Sequence, residues 1–159
     1  MFDISVQPDY EALLSNLRRE GTSKRVHYME LFLDGEIKMA IAKRFGIGID
    51  IPEEDPHHRW KFEIELQRFL GYDYVAAGIG GIGFPRELLV AQDTTQRNEQ
   101  RRTRRHWTDE HAGPIKGWEE FESYPWPHPG KMDTSALEWL TQNLPDDLCI
   151  VAGCHSIFE

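Results

Sequence analysis

The chain of 159 residues has little of several things, and each scarcity excludes something. It has two cysteines, Cys149 and Cys154, five positions apart on one expected strand. Such a pair cannot staple a small fold, so a reducing, cytoplasmic setting is expected. No stretch approaches the ~18 apolar residues that a spanning helix needs, so no membrane partner is expected. Met1-Phe2-Asp3-Ile4-Ser5 lacks the basic start and apolar core of a secretory signal. There is no excess of cations: 18 basic residues face 27 acidic ones, a net charge of −9, which gives no reason to expect nucleic acid. No internal repeat and no low-complexity segment breaks the pattern.

What is present is the composition of a globular chain, 40% hydrophobic and 28% charged. Pro8-Asp9 opens a helix over residues 10–19, with Leu13, Leu14 and Leu17 at helical spacing. Gly21-Thr22-Ser23 breaks it. Residues 26–33 (VHYMELFL) read as a buried strand. Asp34 can cap a helix over 36–45, which Gly46 and Gly48 end. A further helix over 58–70 closes at Gly71, and residues 72–79 (YDYVAAGI) form the second strand. Residues 87–92 and 102–107 then read as strands of an inserted hairpin, with 115–118 a short continuation. Asp133 caps a helix over 134–144, and residues 148–154 (LCIVAGC) form a third strand.

Three strands, each preceded by a helix, predict an α/β fold with parallel strands. A parallel sheet of three leaves faces and edges uncovered, and a complete (β/α)8 TIM barrel takes ~200–250 residues. The expectation is therefore a single domain that is the front of such a barrel: a leading helix over 1–23, the first three strands, and a β insertion over 87–118. A small complete three-layer α/β domain is the alternative.

Several motifs carry chemistry on paper. Gly78-Ile79-Gly80-Gly81-Ile82-Gly83 fits G-x-G-x-x-G, a phosphate-cradling fingerprint when it opens a helix. Here Pro85 and a strand-like run follow, so a glycine loop at a strand end fits better, still an active-site position in a barrel. Cys154-His155 offers a thiol and an imidazole, but two adjacent ligands do not complete a zinc site. His57-His58 reads as an exposed helix start, Asp109-Glu110 as a solvated turn. The arginines between Arg97 and Arg105 read as a solvated face, against a patch for an anion. His27 and Glu30 are polar residues in the first expected strand, an odd number apart, hence on opposite faces. A carboxylate buried on a barrel strand costs free energy unless it is paired or used, which makes Glu30 the sharper candidate.

Four runs, KRVHYMELFLDGEIKMAIAKRFG, LGYDYVAAGIG, RRHWTDEHAGPIKGWEEFESYPWP and LPDDLCIVAGCHSIFE, in this order and spacing, resemble the uroporphyrinogen decarboxylase-like superfamily over residues 10–159. That superfamily joins the decarboxylases of porphyrin synthesis to cobalamin-dependent methyltransferases. The resemblance implies a (β/α)8 barrel with its pocket at the C-terminal ends of the strands. Decarboxylases carry an Arg-Gln-Ala-Gly-Arg-type run after the first strand, whose arginines meet the carboxylates of an octa-acidic tetrapyrrole. The matching stretch here is Glu30-Leu31-Phe32-Leu33-Asp34, with acids at both arginine positions. Their aspartate near the end of the second strand is matched by Gly80. Anions opposite a polyanion repel, so the resemblance points to the methyltransferase arm. There, zinc held by His and Cys in the second half of the barrel activates a thiol that takes a methyl group from cobalt. No residue of this chain matches those ligands, so no metal ligand is assigned. Zinc and a corrinoid belong to the expected full-length enzyme. The expected partners are a small-molecule substrate and a corrinoid protein, with a homodimer open, and a non-catalytic corrinoid-protein-binding barrel stands as the other class. The candidate pocket residues, placed by strand-end logic, are Glu30, Gly78, Gly80 and His155, followed by His27 and Phe32.

Overall fold

The computed structural model describes residues 6–30, 33–85, 88–91, 105–108, 111 and 113–153. In chain order the elements are α1 (Tyr10–Leu17), α2 (Gly35–Phe45), α3 (His58–Leu70), β1 (Tyr74–Ala77), β2 (Leu88–Ala91), β3 (Arg105–Thr108), α4 (Trp118–Ser123), a 3-10 turn (Pro129–Lys131), α5 (Ser135–Asn143) and β4 (Cys149–Ala152). The chain divides into two compact units, Met1–Ile79 with Asp133–Glu159, and Gly80–Met132.

In the first unit, the helix ends follow from the residues that cap them. Asp9 accepts a 2.9 Å hydrogen bond from the Ala12 N–H and starts α1. Asp34 sits at the N-cap of α2 without a side-chain bond there. Gly71 ends α3 at φ 76°, and a β-carbon placed on it would stand 2.8 Å from Val6 Cβ. Lys38 on α2 reaches Glu63 on α3 at 2.7 Å.

β1 and β4 pair in parallel, with Tyr74 opposite Cys149 and Ala77 opposite Ala152. Both are flanked by helical residues. Val75 and Ala77 of β1 join Leu140 of α5 and Leu148 in a buried cluster, against which Trp60, Ile64, Leu137 and Trp139 pack. Parallel partners need a long crossover, and the intervening chain supplies it, α5 included. No helix among the described residues is long and apolar enough to cross a membrane.

The second unit holds an antiparallel pair, β2 and β3, with Leu89 opposite Trp107 and Val90 opposite His106. α4 follows. Around it Trp118 stacks on Phe121 at 5.1 Å, and Trp126 meets Phe121, Tyr124 and Phe84 edge to face. The Tyr124 hydroxyl donates to the Pro85 carbonyl at 2.7 Å.

Two expectations change. Residues 26–30 form no strand ladder; Arg25 and His27 side chains hold this segment to the chain ahead of β1, and Val26, Tyr28 and Met29 stay exposed. The expected continuation over 115–118 is the approach to α4, whose acidic first turn, Glu119 and Glu120, favours a helix start.

Candidate functional site

Of the residues singled out from the sequence, His27, Glu30 and Gly78 are described in the first unit. Phe32, Cys154 and His155 lie outside the described residues. Gly80 belongs to the second unit and is exposed. Gly78 follows β1 directly, and a β-carbon on it would stand 3.5 Å from the Gly153 carbonyl that follows β4. The two strand ends therefore present bare backbone side by side. Glu30 is exposed, and its backbone carbonyl accepts a 3.0 Å bond from the Tyr74 hydroxyl. Burial raises the Tyr74 phenol above its ordinary value, and the negative charges of Tyr72 and Glu30 add to this. Tyr72 shifts the same way, from burial first and Glu30 second. His27 points the other way, with only 3% of its side chain exposed.

His27 leads to a cluster that sequence reading passed over. Its centre is Asp73, fully buried immediately before β1. One carboxylate oxygen, Oδ1, accepts from the Asp9 backbone N–H at 2.7 Å and from the Arg25 guanidinium. The other, Oδ2, faces His27 Nδ1 at 2.7 Å. An ionised carboxylate only accepts, so Nδ1 carries a proton. The far ring nitrogen, Nε2, lies 2.9 Å from Ser23 Oγ. Ser23 has one hydroxyl proton and two acceptors in reach, Nε2 and the Arg25 carbonyl at 2.5 Å. If the proton goes to the carbonyl, Nε2 donates and the ring is an imidazolium; if it goes to Nε2, the ring is neutral.

Ser23, Arg25 and His27 lie along an open depression of about 760 Å³ at the start of α1. Its other walls include Asp9, Glu11, Glu20, Asp146 and Asp147. The depression is therefore acidic overall, and the cation of Arg25 is already engaged by Asp73.

Cys149, at the start of β4, has its thiol pushed up by burial and then by the charge of Asp73. A thiol held in its protonated form is a poor nucleophile and a poor metal ligand. Among the described residues no three His, Cys, Asp or Glu side chains converge as a metal site would require.

A signal for the Asp73 cluster does exist in the sequence. His27 interrupts one apolar run with Arg25 just ahead of it, and Asp73 interrupts another. Buried polar groups of opposite character need each other. No family model, no curated protein and no solved structure matches the chain.

Proposed function

We propose that this chain forms one side of the substrate pocket of a uroporphyrinogen decarboxylase-like (β/α)8-barrel enzyme, of the arm that moves a methyl group from a corrinoid to a thiol. The observation that carries this reading is the parallel β1–β4 pair with Gly78 and Gly153 together at its C-terminal end. Barrel enzymes build their pockets at that end and their stabilising contacts at the other. The Asp73 cluster lies at the N-terminal end of β1 and fits the stabilising role. The 27–30 segment supports the same arrangement. His27 bonds Asp73 and the Glu30 carbonyl accepts from the Tyr74 hydroxyl, so the segment follows β1 in the same direction without a ladder to it, at the place a first barrel strand would take.

On this reading the chain's own residues bind and exclude. Bare backbone at Gly78 and Gly153 lets a substrate approach without a side chain in the way. Glu30 and Asp34 disfavour a polycarboxylate, which sets the uroporphyrinogen reaction second. The described residues do not fit a zinc site, since Cys149 keeps its proton and no ligand cluster accompanies it. No step of the transfer is assigned to a metal here. The partners on this reading are a small thiol substrate and a corrinoid-carrying protein.

The protein is assayed with methylcobalamin and 2-mercaptoethanesulfonate, following the loss of the cobalt–carbon absorbance. Methyl transfer that is altered by Glu30→Gln, without loss of melting temperature, supports the proposal. Inactivity of folded protein toward this and other thiols, or formation of coproporphyrinogen from uroporphyrinogen, overturns it.

A further inference from the structure

We propose that Ser23 is a nucleophile, and that Ser23, His27 and Asp73 form an acyl-transfer site for small esters carrying no negative charge. This gives a second, separate activity to the cluster at the N-terminal end of β1, which the methyl-transfer reading takes as stabilising only. The three groups have the distances of a serine relay: Oγ to Nε2 2.9 Å, Nδ1 to Oδ2 2.7 Å. Such relays are recognised by geometry and roles rather than by fold or chain order.

Each member has the environment its role demands. Asp73 has no exposure, and the Asp9 N–H and Arg25 fix its plane through the oxygen that His27 does not use. It is a positioning residue, which holds the imidazole by Nδ1 and leaves Nε2 directed at Ser23. Only 3% of the His27 side chain is exposed, and its Nε2 faces Ser23. Ser23 is half-buried and lines the 760 Å³ depression, where a substrate can reach it. The first turn of α1 lines the same depression. Its Tyr10 and Glu11 N–H groups precede the first intrahelical bond, which leaves them open to a polar group in the depression. Five carboxylates, Asp9, Glu11, Glu20, Asp146 and Asp147, outnumber the cations Lys24 and Arg25 around the depression, which disfavours anionic acyl groups relative to neutral ones.

The chemistry balances without further reagents. The step starts from the neutral ring, with Nδ1–H held by Asp73 and the Ser23 hydroxyl donating to Nε2. Oγ bonds to the acyl carbon as Nε2 takes the proton. The ester C–O bond breaks, and Nε2 returns the proton to the departing alkoxide. Water then adds to the acyl carbon, gives its proton to Nε2, and Ser23 leaves with that proton restored.

The test is covalent labelling of the purified 159-residue protein with a fluorophosphonate, read by intact mass and peptide mapping. The expected result is one adduct on Ser23, absent in Ser23→Ala, with p-nitrophenyl acetate hydrolysis lost in parallel. His27→Gln should slow labelling on the order of 10²-fold or more while Ser123→Ala changes nothing. Should the His27 variant lose its fold, Ser23→Cys gives a second readout. A thiol paired with His27 alkylates at pH 6 faster than a cysteine in a peptide. Folded protein without an adduct on Ser23, equal labelling rates with and without His27, or a thiol in the Ser23→Cys variant no faster than the peptide, each overturns the proposal.

Discussion

Replacing Asp73 by alanine is the most informative single change in this molecule. The carboxylate is fully buried and accepts from three donors, the Asp9 N–H, Arg25 and His27 Nδ1. Its removal takes the counter-charge from a guanidinium that keeps only the Val26 and Gln7 carbonyls, and leaves a ring N–H and a backbone N–H without that acceptor. Breaking a buried ion pair by deleting one partner costs about 3–5 kcal/mol, because the remaining charge loses its compensation. Surface pairs such as Arg68–Asp147 are worth a fraction of that. A domain is stable by only about 5–15 kcal/mol, so Asp73→Ala removes a large share. For a chain of this size the loss corresponds to a fall in Tm of roughly 6–20 °C. Circular dichroism melts and urea titrations of both proteins measure it. Asp73→Asn should cost less, since an amide oxygen can still accept from the Asp9 N–H. A change under about 1 kcal/mol for Asp73→Ala would refute the reasoning and mark the cluster as dispensable.

Two further outcomes follow from local geometry. Gly71→Ala should destabilise by about 1–3 kcal/mol, seen as a lower urea midpoint, because φ is 76° and the new carbon meets Val6 at 2.8 Å. An unchanged midpoint would mean that Val6 yields freely. In a Cys154→Ser background, the remaining Cys149 thiol should react with iodoacetamide at pH 8 more slowly than a cysteine in a peptide. Its folded pKa is raised above 9.0 by burial and Asp73, so the native state keeps the proton longer than the unfolded chain. That contribution to stability is complete below pH 9.0 and is lost as pH rises through the folded value. Stability that climbs over this window would contradict the assignment.

Much of the helical framework could be read from the residues. α3 begins at His58 and ends before Gly71 as the spacing predicts, and α2 starts one residue earlier than expected. Those boundaries are local, set by a glycine that tolerates positive φ. α4 escaped notice because WEEFES is a short acidic stretch without an apolar stripe. Residues 26–30 read as a strand because they are apolar, but a ladder also requires a neighbouring backbone, and that is decided elsewhere in the chain. The Asp73 cluster was hidden for the same reason. Ser23 read as part of a break and His27 as a second-rank pocket residue, while Arg25 and Asp73 were not singled out. Only the fold brings the four together.

The burial of Asp73 also has a meaning in time. Its carboxylate closes three long loops at once, spanning 64 positions to Asp9, 48 to Arg25 and 46 to His27. Closing loops of that length costs entropy that grows only with the logarithm of their size. Once one contact forms, the other two follow at little additional entropic cost, since they converge on the same side chain. Residues 9–27 should therefore resist hydrogen exchange together with the start of β1 and open with it, as a single cooperative piece rather than a fraying terminus. What looks along the chain like a leader ahead of the sheet is, in this sense, timed by the sheet.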